Sequence, residues 1–93
     1  MTSRKLERVY CDFHKTVDES TFALRCRGTF DDLRRIGVSL AVGLRFTFWM
    51  DDGDGRGIRD DLLVDGVVDR LEDGTWVARV DSSTWRHASD ERG

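Results

Sequence analysis

The sequence holds little of what catalytic and metal sites are made from. It has two histidines and two cysteines in 93 residues. A structural zinc site takes four such ligands, so Cys11, His14, Cys26 and His87 would all have to converge. Cys11 and His14 stand three residues apart on an alternating segment and point to opposite faces, so no metal is expected. No nucleophile elbow, glycine-rich phosphate cradle or metalloprotease motif is present. Ser83, His87 and Asp90 occur in triad order, but within eight residues. A working triad converges from separate rigid elements around an oxyanion hole. The expectation is a protein that is not an enzyme and uses no cofactor.

Other absences bound its location. The start, MTSRKLERVYCDF, has basic residues but no apolar stretch behind them, so no signal peptide is expected. No apolar run approaches membrane-spanning length. A cytoplasmic setting follows as the expectation, with both cysteines reduced. There is no internal repeat, low-complexity segment or linker. The chain reads as one domain over 1–93, with 88–93 a disordered tail. A domain of this length buries roughly two-thirds of the surface its unfolded chain exposes, enough to fold without a metal or disulfide.

What is present is charge, unevenly placed. The net charge is -3. Residues 1–50 carry nine Lys/Arg against six Asp/Glu, and residues 51–93 carry six against twelve. That balance opposes wholesale nucleic-acid binding and permits a local basic face. Thirteen of the fifteen basic residues are arginine, the side chain suited to phosphate forks and ion pairs.

Alternation is the main structural signal. In LERVYCDFH, Val9, Cys11 and Phe13 share one face, and in TFALRCR, Phe22, Leu24 and Cys26 do. Joined by KTVDES, the two runs predict a β-hairpin. Cys11 and Cys26 then face each other across it, as a disulfide pair or as two small buried hydrophobes. GTFDDLRRIG predicts a short helix. Thr29 serves as N-cap, Asp31 and Asp32 fall in the first turn, Arg34 and Arg35 in the last, and Gly37 is the C′ residue. Phe30, Leu33 and Ile36 form its apolar stripe.

Leu44, Phe46, Phe48 and Met50 mark a half-buried strand. DLLVDGVVDRL is a second, with Gly66 placed for a bulge or sharp bend. Asp73-Gly74 is a hairpin turn leading to a third, in which Trp76, Ala78 and Val80 share a face. DSSTWRH reads as a capped single turn. The expected fold is mainly β (α+β): a small five-stranded, partly open barrel with one short helix between strands 2 and 3.

The stretch SLAVGLRFTF…LLVDGVVDRLEDGTWVARVD resembles the strand-turn-strand rhythm of small Src-homology-3-type barrels and the later strands of PilZ domains. The resemblance implies a barrel and, for PilZ domains, a cyclic dinucleotide held by an RxxxR motif. Arg4-Lys5-Leu6-Glu7-Arg8 matches that motif. The companion [D/N]xSxxG motif is not met, since Gly37 occupies its acidic position and Ser39 stands four residues before Gly43.

Two surfaces remain. The acidic stretch DDGDGRGIRDD, residues 51–61, departs from a calcium loop. Started at Asp52, it puts Arg56 at position 5 and Leu63 at position 12, where calcium needs oxygen and a bidentate glutamate. A solvated connection without high-affinity calcium is expected. Opposite the apolar positions of the strands lie Tyr10, Arg25, Arg27, Arg45 and Trp49. Arginines among aromatics suit a protein interface or homodimer contact. The same chemistry suits single-stranded nucleic acid or another phosphate ligand. The expected function is therefore a non-enzymatic binding or adaptor module that contacts a protein partner or itself through this face. Phosphate recognition is the alternative, and no membrane contact is expected.

Overall fold

A computed structural model of the chain describes residues 6–52, 57 and 59–92. It is a mixed α+β domain, with one helix set against a seven-stranded open sheet. The strands are β1 (Arg8–Tyr10), β2 (Thr16–Asp18), β3 (Thr21–Ala23), β4 (Arg45–Met50), β5 (Leu62–Arg70), β6 (Trp76–Val80) and β7 (Arg86–His87). Helix α1 (Arg27–Ile36) lies between β3 and β4. Strand order is β1-β4-β5-β6-β3-β2, with β7 added on β5.

The expected five-stranded barrel is thereby corrected. Two extra strands come from segments read as a connection and a turn, KTVDES and DSSTWRH. The first run of alternation does not form a hairpin with the second. Instead β1 runs parallel to β4, pairing Val9 with Phe48 and Tyr10 with Trp49. This sends β1 to the edge away from β2 and β3, and no ladder closes the sheet among the described residues. Parallel neighbours need a long crossover, and here the β2–β3 hairpin and α1 supply it. Cys11 and Cys26 are thus not cross-strand partners, and both thiols are free.

The sheet nevertheless curls. β1 and β3 stand four places apart in the strand order, which in a flat sheet would separate them by roughly 19 Å. Yet Val9 and Cys11 share one buried cluster with Phe22 and Leu24, and the Phe13 and Phe22 ring centroids are 5.2 Å apart. Leu33, Phe46, Phe48, Val64, Val68, Ala78 and Val80 complete the cluster. Burying a side chain such as Phe48 contributes about 1.5–3 kcal/mol.

Gly66 permits the bend. It pairs with Phe46 on one side and Val80 on the other, and a Cβ there would lie 2.7 Å from the Arg79 carbonyl oxygen. The ladders through it are regular, so the glycine marks a close approach of β6 and not a bulge.

The end of α1 matches expectation and its start does not. Gly37 adopts φ 73°, and the Gly37 and Val38 amides donate to the Arg34 and Leu33 carbonyls. This double closure is the Schellman arrangement. At the other end the helix begins two residues before Thr29, and Cys26 in the cap position gives no side-chain bond. The Thr29 hydroxyl is used elsewhere: it donates to the Tyr10 carbonyl at 2.5 Å. Asp32, one turn on, accepts the Tyr10 amide at 2.9 Å. The two side chains occupy both backbone groups of Tyr10 on the outer edge of β1, where an exposed strand would invite pairing.

The C-terminal segment is also ordered by contacts that local pattern does not reveal. Arg86–His87 pairs with Leu62–Leu63 of β5. Ala88–Arg92, expected to belong to a disordered tail, forms a 3-10 segment. Ser89 bonds Asp60, and Glu91 meets Arg8 at 2.8 Å and Arg86 at 3.0 Å. Among the described residues no helix is long and apolar enough to cross a membrane.

Candidate binding groove

The five residues expected to form one basic-aromatic face are not brought together. Tyr10 and Trp49 do meet, edge to face with centroids 5.1 Å apart. The Trp49 Nε1 donates to Asp32 at 2.8 Å, and the Arg59 guanidinium lies 5.5 Å from its ring centroid. Trp49 is therefore a structural bridge between sheet and helix. Arg45 lies on the same face of β4 but at its other end, beside a cleft of about 340 Å³ with Leu6, Asp65 and Arg79. Arg25 reaches Thr75 at 3.0 Å, next to the β5–β6 turn. Arg27 opens α1.

The PilZ-type pair divides as well. Arg4 lies outside the described residues, and Arg8 is ion-paired with Glu91. Of the acidic stretch, residues 53–56 and 58 lie outside the description. At its base the Asp60 amide donates to the Asp52 carbonyl, and Arg59 pairs with Asp51 and Asp61. Among the described residues no three His, Cys, Asp or Glu side chains are grouped as a metal ion requires.

A different surface has the form of a site. A groove of about 450 Å³ runs between α1, the segment after it, and the start of β6. Its apolar lining is Phe30 and Leu33 of α1, Val38, Leu40 and Trp76. The sequence dictates it locally. The Schellman closure at Gly37 reverses the chain, so that Val38 returns against Leu33. Leu33 faces the core, while Phe30 rides one turn earlier and remains 41% exposed. Trp76 is fixed by its carbonyl, which accepts the Leu24 amide at 2.9 Å. Its ring carries the Arg70 guanidinium at 4.8 Å from the centroid, within cation–π range.

The groove is bordered by positive charge. Arg34 lines it, and Arg27 lies seven residues earlier on the same side of α1. Among the described residues neither side chain has a hydrogen bond or ion pair, in contrast to those of Arg35, Arg59, Arg79 and Arg86. Two signals for the groove were in the sequence, the apolar Phe30 on an arginine-rich helix and the apolar run VSLAV after Gly37. The first reads as one member of the helix's apolar stripe, because its spacing to Leu33 and Ile36 puts all three on one helical face.

Searches against protein-family models, curated proteins and solved structures found no match to the chain.

Proposed function

We propose that the chain is a non-enzymatic binding domain that takes a segment of a partner protein in the groove between α1 and Trp76. The observation that supports it is Phe30, a large aromatic left 41% exposed in a lined groove beside two arginines whose side chains have no partner among the described residues. Aromatic and arginine side chains supply most hot spots in protein interfaces. An apolar surface rimmed by polar groups is the usual form of such a site.

Catalysis finds no comparable support. His14 is exposed and bonds Asp12, and His87 pairs with Asp52. Two free thiols fit the reducing, cytoplasmic setting proposed from the sequence.

Single-strand recognition through Trp49 has less support than a protein contact, because that ring is engaged by Tyr10, Asp32 and Arg59. Stacking needs an open ring face.

The test is selection from a random-peptide display library against the full chain, with Leu40→Asp as the groove variant. Selected peptides should lose binding to Leu40→Asp and keep it to Trp49→Phe. Binding indifferent to Leu40→Asp would end the reading. A titration with oligodeoxythymidylate at low and high salt runs beside it. Strong binding that fades with salt would favour the nucleic-acid reading instead.

A further inference from the structure

We infer that the segment held in the groove is apolar at its centre and acidic at its borders, with leucine-sized or aromatic side chains flanked by aspartate or glutamate. The inference rests on the groove reading above and adds the chemistry of the occupant.

The lining carries no carboxylate. Its charged member is Arg34, and the Trp76 wall is covered by Arg70. Arg27 extends the positive border along α1. Three acidic groups stand near: Asp31 on α1, and Glu72 and Asp73 in the β5–β6 turn. Asp31 is exposed on α1 but bonds neither Arg27 nor Arg34 among the described residues. Asp73, in the β5–β6 turn, feels the charge of Arg25 and is held mainly by the Thr75 amide. The arginines around the groove, Arg25, Arg27, Arg34 and Arg70, outnumber these carboxylates, so the border carries a small positive excess on a chain whose net charge is -3.

An acidic partner meets repulsion from the molecule as a whole and attraction at this border, which directs it here. Once docked, its carboxylates can form paired bonds with guanidinium forks that have no partner among the described residues. Its apolar centre removes Phe30, Leu40 and Trp76 from water. A segment with lysine borders would bring like charges face to face, which selects against it.

Two synthetic peptides test this, sharing a Leu-Trp-Leu centre and differing only in flanks, glutamate in one and lysine in the other. Binding to the full chain is measured by calorimetry at low and high salt. The glutamate peptide should bind about tenfold more tightly at low salt, the sum of a few rim pairs. That advantage should shrink with salt and vanish in the double variant Arg27→Glu/Arg34→Glu. Both arginines are exposed, and an unchanged urea midpoint checks that the variant folds.

Equal affinities that both fall with Leu40→Asp would overturn the inference and leave the groove reading standing. So would a preference for lysine, or a glutamate preference unmoved by the double variant. Failure of both peptides to bind, or binding insensitive to Leu40→Asp, would overturn the groove reading too.

Discussion

The indole Nε1 of Trp49 donates to the Asp32 carboxylate at 2.8 Å, and the same oxygen accepts the Tyr10 amide at 2.9 Å. One helical side chain thereby holds the edge strand β1 and its neighbour β4. Asp32 retains only 16% side-chain exposure, so the bonds are shielded. Hydrogen bonds to a charged group contribute about 1.5–3 kcal/mol, and a buried donor left bare costs about as much. Asp32→Ala should lower stability by roughly 2–4 kcal/mol on that basis. Asp32→Asn, which keeps an acceptor oxygen, should cost less. Urea unfolding followed by tryptophan fluorescence measures both, and an Asp32→Ala midpoint equal to the parent's would refute the bridge.

Gly66 is predicted to be intolerant for a different reason. The atom nearest an added Cβ is the Arg79 backbone oxygen at 2.7 Å, followed by the Val80 Cα at 3.1 Å. Neither swings aside as a side-chain tip does. Gly66→Ala should destabilise by about 1–3 kcal/mol, the usual range for overpacking. Gly74→Ala should also destabilise, through its φ of 91° rather than through a clash. A thermal melt showing Gly66→Ala as stable as the parent would mean that β6 does not approach so closely.

The pH dependence should carry a signature of His87. Its hydrogen bond to Asp52 raises its pKa above the ordinary 6.5. Burial opposes the rise, and the charges of Asp60, Asp52 and Asp90 add to it. A raised folded-state pKa means that the stabilisation is complete below 6.5 and disappears as pH climbs through the folded value. Asp69, lowered chiefly by its bond to Arg79, contributes in the opposite sense and loses its share in acid. Urea midpoints taken upward from pH 6 should therefore fall, and His87→Gln should flatten that slope. An unchanged slope in the variant would show that His87 is not its source.

Thiol chemistry should separate the two cysteines. Burial, with smaller contributions from Cys26 and Asp12, pushes the Cys11 thiol up to about 12, and its side chain is inaccessible. Cys26 is half-buried at the start of α1. Thiolate is the reactive form. Iodoacetamide on the native protein should therefore label Cys26 first and Cys11 only in denaturant, as read by mass spectrometry of the digest. Prompt labelling of Cys11 in the native state would contradict its placement.

Local chemistry was legible in the sequence where it acts locally. Gly37 ends α1, and the β5–β6 turn closes at Asp73-Gly74, where Asp73 accepts the Thr75 amide. The alternation of Val9, Phe46, Val64, Ala78 and their neighbours named core residues correctly. Pairing was not legible. Alternation tells a strand which side faces inward but not whom it lies beside, so β1 was matched to the nearest run when its partner is β4, 39 residues along. Thr29 and Asp32 carry the pattern of a helix cap and first turn, yet both serve the edge of β1. β7 and the segment after it are too short to leave a period, and they are held by Asp60, Arg8 and the edge of β5. Leu63 and Val77 are fully buried outside the main cluster and were missed, because alternation placed them on the solvent side. The groove was hidden for a related reason, since nothing in spacing distinguishes an apolar residue that packs inward from one, like Phe30, that borders a cleft.

The most direct measurement is a map of where a display-selected peptide binds, by two-dimensional amide and indole NMR of the full chain. The account predicts shifts confined to Phe30, Arg34, Val38, Leu40 and the Trp76 indole, with the Trp49 indole unmoved. Shifts gathered on Tyr10, Arg45 and Trp49, with the groove silent, would contradict it.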